Sequence, residues 1–140
     1  YVGARAIWDI GTVSDLFLAI AEPHSIGLSA IGGAIHPISR EETIALHLKL
    51  NHTNPKYRVM APVIPGHVRS VGYDDFAIMT VGQPITIDRY PRTIALDGER
   101  ALVLREGDSA TVTLISEGPR TIDPYKTLRT AASNKLFDLP

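Results

Sequence analysis

The sequence contains no cysteine, which excludes a disulfide scaffold, a thiol nucleophile and any thiolate metal site. A chain without thiols suits a reducing compartment, and a cytoplasmic location is expected. No sign of charge dominates. Fourteen basic and fifteen acidic residues are interspersed to a net charge of −1, so no electrostatic footprint points to nucleic acid or to an anionic membrane. No apolar run approaches the roughly 18 residues that span a bilayer, and no basic segment leads into an apolar one as in a signal peptide. Metal-binding spacings such as H-E-x-x-H are missing, as are the Gly-rich phosphate cradles and the G-x-S-x-G nucleophile elbow. No catalytic or metal-ligating set is therefore assigned.

What is present is one domain's worth of chain. At 140 residues and 44% hydrophobic, it can bury a real core without cross-links. It opens on Tyr1-Val2-Gly3 rather than Met, which points to a domain taken from a longer protein. Tyr1–Thr12 reads as a strand or ordered arm leading to a turn. Asp15–Ala21 is a continuous apolar run, read as a buried strand that ends before Glu22-Pro23, because the residue preceding proline is pushed out of the helical region. Glu22–Pro37 is rich in small residues. Ser25 is placed to cap a short helix over Ile26–Ile31, with Gly32-Gly33 ending it. So many small residues together imply a close approach to the backbone, by another element or by a ligand.

A β pattern follows. Thr43–Leu50 alternates, with Ile44, Leu46, Leu48 and Leu50 on one face and Ala45, His47 and Lys49 on the other. Tyr57–Ile64 contains Pro62 and reads as an edge or bent strand. His67–Val71, Phe76–Val81 and Ile85–Asp88 are further strands. Thr93–Leu96 and Ala101–Leu104 flank Asp97-Gly98, a strong hairpin signal. Ala110–Ile115 is the last strand. Asp123-Pro124 then reads as an N-cap with proline at the first helical position. Tyr125–Phe137 is expected to form an amphipathic helix packed on the sheets. Strands every 8–12 residues with turns between them indicate a mainly β fold, an antiparallel two-sheet β-sandwich with one short helix and a C-terminal helix.

The five histidines carry no metal spacing. His47, alternating with aliphatics, is read as a solvent-facing strand residue, and His52 as a solvated turn residue. His67, in the turn after Pro65-Gly66, is read as structural or solvent-facing. Asp74-Asp75 is read as a solvated turn. Glu22-Pro23-His24-Ser25 joins a carboxylate, an imidazole and a hydroxyl at a strand end, but residues one and two apart rarely align into a catalytic relay. The bland alternative for this cluster is a helix N-cap.

The order of four segments is informative. They are Glu22–Gly33 (E-P-H-S-I-G-L-S-A-I-G-G), Ala61–His67 (A-P-V-I-P-G-H), Ile94–Arg100 (I-A-L-D-G-E-R) and Gly107-Asp108. With the tail Gly118–Asp123, Leu128 and Ala131-Ala132, the chain resembles the C-terminal domain of the NAD-kinase superfamily, most closely its acetoin-catabolism protein X branch. The resemblance implies that Pro23, Ser25, Ser29, Ala30 and Gly33 lie along a nucleotide wall. Glu22 and His24 stand there where NAD kinases have threonines. Asp97, Gly98 and Glu99 match a D-G hairpin shared with related lipid kinases and form the other side of the expected pocket. It implies a small-molecule nucleotide ligand, NAD as possible substrate, ATP and Mg²⁺ as cofactors of the full-length protein, and a homo-oligomer. The family's G-G-D-G-T motif belongs to an N-terminal α/β domain and has no match here, so residues 1–140 are expected to form a single substrate-binding domain, inactive alone. The alternatives are a lipid-kinase-like domain and a non-catalytic oligomerisation module.

Overall fold

A computed structural model describes residues 10–87, 92–96, 100–118 and 122–138. The fold is mainly β, with antiparallel ladders and two helices, as expected. The described strands form three sheets rather than two. The largest has four strands, β1 (Asp15–Leu18), β2 (Ile44–Leu50), β3 (Tyr57–Ile64) and β4 (His67–Thr80), in the order β1-β2-β4-β3. Two ribbons follow: β5 (Pro84–Ile87) with β8 (Ala110–Thr113), and β6 (Arg92–Leu96) with β7 (Arg100–Leu104). The ladder of β6 and β7 closes at Leu96 and Arg100, which confirms a hairpin there. Its tip, Asp97-Gly98-Glu99, lies outside the described residues, as does most of the Tyr1–Thr12 arm, of which Ile10–Thr12 forms a 3-10 turn.

Strand β3 has the bounds its sequence implies, and it lies at a sheet edge, where Pro62 removes no interior ladder bond. The two strands expected over His67–Val81 are one. β4 runs 14 residues and absorbs an irregularity where Lys49 pairs with Asp75 and Leu50 with Tyr73, leaving Asp74 as the extra residue. Asp74 is therefore not a solvated turn residue. Its carboxylate accepts from Asn51 Nδ2 at 2.9 Å and from the Lys56 backbone N–H at 3.0 Å, and so ties the 51–56 turn to the bulge. These bonds, that from Asn51 first, hold its carboxyl below the usual carboxylate range.

The core lies on one face of this sheet, under α1 (Leu28–Gly33). Leu46 and Leu48 from β2, Leu16 from β1, and Ala61 and Val71 from β3 and β4 pack there against Ile31 and Ile38. A six-residue helix containing two glycines has little intrinsic stability, so burial of Ala30 and Ile31 must hold it. Ser25 does not cap it. The helix starts after Gly27, whose N–H donates to the Pro62 carbonyl at 2.9 Å, while the Ser25 hydroxyl donates to the Glu22 carbonyl at 2.7 Å. The glycines have a packing reason. A Cβ on Gly33 would stand 2.4 Å from Pro23 N and 2.5 Å from Glu22 C, and one on Gly32 would meet Leu18 Cδ1 at 2.4 Å. The close approach foreseen for this segment is made by the chain itself.

α2 (Pro124–Ser133) begins as its sequence implies, with Asp123 Oδ1 accepting from the Lys126 N–H at 2.9 Å. It departs from expectation in its packing. None of its residues is buried, and Tyr125 and Leu128 are exposed, as are Leu136 and Phe137 beyond its end. Gly33→Ala is expected to lower stability by about 2–3 kcal/mol, since the added methyl meets rigid backbone. Leu128→Ser is expected to change the stability of the monomeric chain by less than about 0.5 kcal/mol. Urea unfolding followed by circular dichroism measures both.

Candidate functional site

Seven of the ten residues expected to bind a ligand come together in one braced segment. Glu22 N–H donates to Ser29 Oγ at 3.0 Å, and the Ser29 hydroxyl donates to the Ile20 carbonyl at 3.1 Å. Ser29 thus pins the end of the β1 segment to α1. Ala30 is buried and Gly33 backs onto Glu22-Pro23, so these two face inward. Pro23 and His24 face solvent, with Ser25 partly covered between them and the helix. His24 Nε2 lies 3.9 Å from Glu22 Oε2, and the two side chains are 80% and 30% exposed, a loose surface pair of small energetic weight. The remaining three, Asp97, Gly98 and Glu99, lie outside the described residues.

The opposite face of the sheet holds a cluster that was not anticipated. Period-2 alternation places Asp15, Phe17, His47 and Lys49 together there, through the pairs Asp15–Lys49 and Phe17–His47. His47 is not solvent-facing. It is 7% exposed, because its ring stacks on Phe17 with centroids 4.4 Å apart and planes 2° from parallel. Its Nε2 lies 2.9 Å from Asp15 Oδ1, and Arg92 Nη1 at the start of β6 donates to Asp15 Oδ2 at 2.6 Å. The carboxylate favours the proton on Nε2. The bond from His47, supported by Arg92 and Ser14, holds the Asp15 carboxyl far below its usual range, although burial acts the other way. Among the described residues no other ion pair joins a ribbon to the large sheet. The cluster borders a cleft of about 410 Å³, walled on the ribbon side by Ile85, Thr86 and Ile87. The signal available in sequence was weak: one histidine inside an alternating strand, with partners 32 residues before it and 45 after.

Among the described residues no group of three or more His, Asp or Glu side chains could hold a metal ion, and no helix is long and apolar enough to cross a membrane. Residues 1–117 match the family described as Acetoin catabolism protein X C-terminal domain. The chain belongs to that family. It is 32% identical over 138 residues to acetoin catabolism protein X of Cupriavidus necator. That alignment covers 98% of this chain and 38% of the relative, so the chain spans about two-fifths of the length of this family member. No solved structure matches it. The family match spans both the braced segment and the Asp15–His47–Arg92 cluster.

Asp15→Asn retains the shape but leaves one acceptor oxygen for two donors, and it is expected to lower stability by about 2 kcal/mol at pH 7. A depressed carboxyl contributes its stability above the ordinary value of 3.8 and loses it progressively below. Urea unfolding at pH 7, 5 and 3 should therefore show the gap between parent and variant nearly unchanged from pH 7 to 5 and beginning to narrow at pH 3. An equal gap at all three would place the stabilisation elsewhere.

Proposed function

We propose that this chain is the C-terminal, ligand-binding domain of a cytoplasmic, NAD-kinase-like phosphotransferase within the acetoin catabolism protein X family. In the whole protein, phosphate would pass from ATP to NAD or a related small molecule. The observation that carries the reading is the bracing of Glu22–Gly33. Ser29 and Gly33 hold the loop from behind, so the Glu22 carboxylate and the His24 ring project from a backbone with little freedom to move. Preorganised polar groups on a rigid support lower the cost of ordering a ligand. A carboxylate is suited to accept from ribose hydroxyls, as in dinucleotide sites. The match with the motif order of NAD kinases supports the same assignment. The described residues do not suit Mg²⁺, so ATP and its metal are assigned to an N-terminal α/β domain, and no chemical step is ascribed to this chain.

The uncovered apolar residues of α2 favour a second role, in which the domain also pairs subunits. Light scattering on the 140-residue chain should then report a homo-oligomer. The ligand reading is tested by titrating NAD into the ¹⁵N-labelled chain. Saturable amide shifts are expected at His24, Ser25 and Ser29, weakened by His24→Ala. Absence of shifts at millimolar NAD would reject it. The isolated chain is expected to show no phosphotransfer from ATP to NAD, and clear turnover would refute the division of labour between two domains.

A further inference from the structure

We propose that the cleft between β1–β2 and β5 binds a small organic anion, a carboxylate or a phosphate, through Lys49 and Arg92. The site is separate from Glu22–Gly33, which lies with α1 on the other face of the sheet. Both carboxylates that line the cleft among the described residues are already hydrogen-bonded. Asp15 accepts from His47 and Arg92, one on each oxygen. Asp74 accepts from Asn51 Nδ2 and from the Lys56 N–H, also one on each oxygen.

The cations are not matched in the same way. Lys49 sits opposite Asp15 in one ladder and Asp75 in the next, yet it forms no ion pair among the described residues. Arg92 gives one N–H to Asp15, and a guanidinium carries five donors in a planar fork that matches a carboxylate or a phosphate. Its side chain is 22% exposed, so a charge partner there is less screened by water than at an open surface. Among the described residues, each carboxylate oxygen at the cleft therefore already accepts at least one bond, while Lys49 has no carboxylate partner and Arg92 has donors to spare. Phe17 and Ile85 add apolar surface beside the cations, which suits an anion with a short hydrocarbon body. The volume of about 410 Å³ falls within the range of small-ligand sites. Asp15 and His47 act as positioning residues, because they fix where the Arg92 fork stands.

The test is a pair of NMR titrations on the ¹⁵N-labelled chain, one with sodium butyrate and one with inorganic phosphate, at ionic strength held constant with sodium chloride. Saturable shifts are expected at Phe17, His47 and Thr86, with Kd on the order of 1 mM. Saturation by butyrate alone identifies a carboxylate with an apolar body, and saturation by phosphate alone identifies a phosphoryl group. Lys49→Gln, at an exposed position that leaves the fold intact, should weaken the effective probe by about tenfold. Unsaturable shifts with both probes, or a Lys49→Gln titration that matches the parent, overturn the proposal. Shifts confined to residues 22–33 would also overturn it, and would leave the nucleotide reading standing.

Discussion

The structure depends on one short strand that is buried on both faces. β2 sends Leu46 and Leu48 into the core under α1, where both are fully buried, and sends His47 the other way. Leucine needs no partner in an apolar environment, whereas an imidazole there needs a hydrogen bond, and leaving it without one would cost on the order of 1–3 kcal/mol. Asp15 supplies that bond from the neighbouring strand. The carboxylate is in turn compensated by Arg92 from the ribbon. A slip of one residue in the β1–β2 register would bring the leucines and the histidine to the wrong faces together. The apolar core and the polar cluster thus specify the same register from opposite sides of the sheet.

The segment between β1 and β2 works by the opposite means, through lack of side-chain bulk. Gly32 and Gly33 let α1 settle on Leu18 and on the Glu22-Pro23 backbone. Ser29 then ties the two together with one accepted and one donated hydrogen bond. Close packing of the chain on itself accounts for most of the small residues. It also leaves the polar tip at Glu22 and His24 standing on a firm base, which is the property a binding loop requires.

Most element positions were legible because their causes are local. The alternation in Ile44–Leu50, the proline in β3, the paired runs about Asp97-Gly98 and the cap at Asp123 each act within a few residues. The union of two expected strands into β4 was not legible, because a bulge at Asp74 continues a strand through polar residues that a period-2 reading takes for a turn. The helix starts two residues later than its sequence implies for a related reason: the Ser25 hydroxyl donates to the Glu22 carbonyl instead of capping the helix. The apolar spacing in α2 marked a helix correctly but could not say what it packs against, and none of its residues is buried.

By itself the sequence determined the mainly β class, the edge position of β3, both helices and the small-residue segment, since periodicity, turn chemistry and side-chain size are properties of neighbours in the chain. Only the tertiary structure decided what lies behind Gly33, that α2 stays uncovered, and that His47 is a buried partner of Asp15 and Arg92. Those three residues are separated by 32 and 45 positions. No local pattern encodes their meeting, because the burial that makes an imidazole seek a carboxylate exists only once β1 pairs with β2 and Arg92 of the β6–β7 ribbon reaches Asp15.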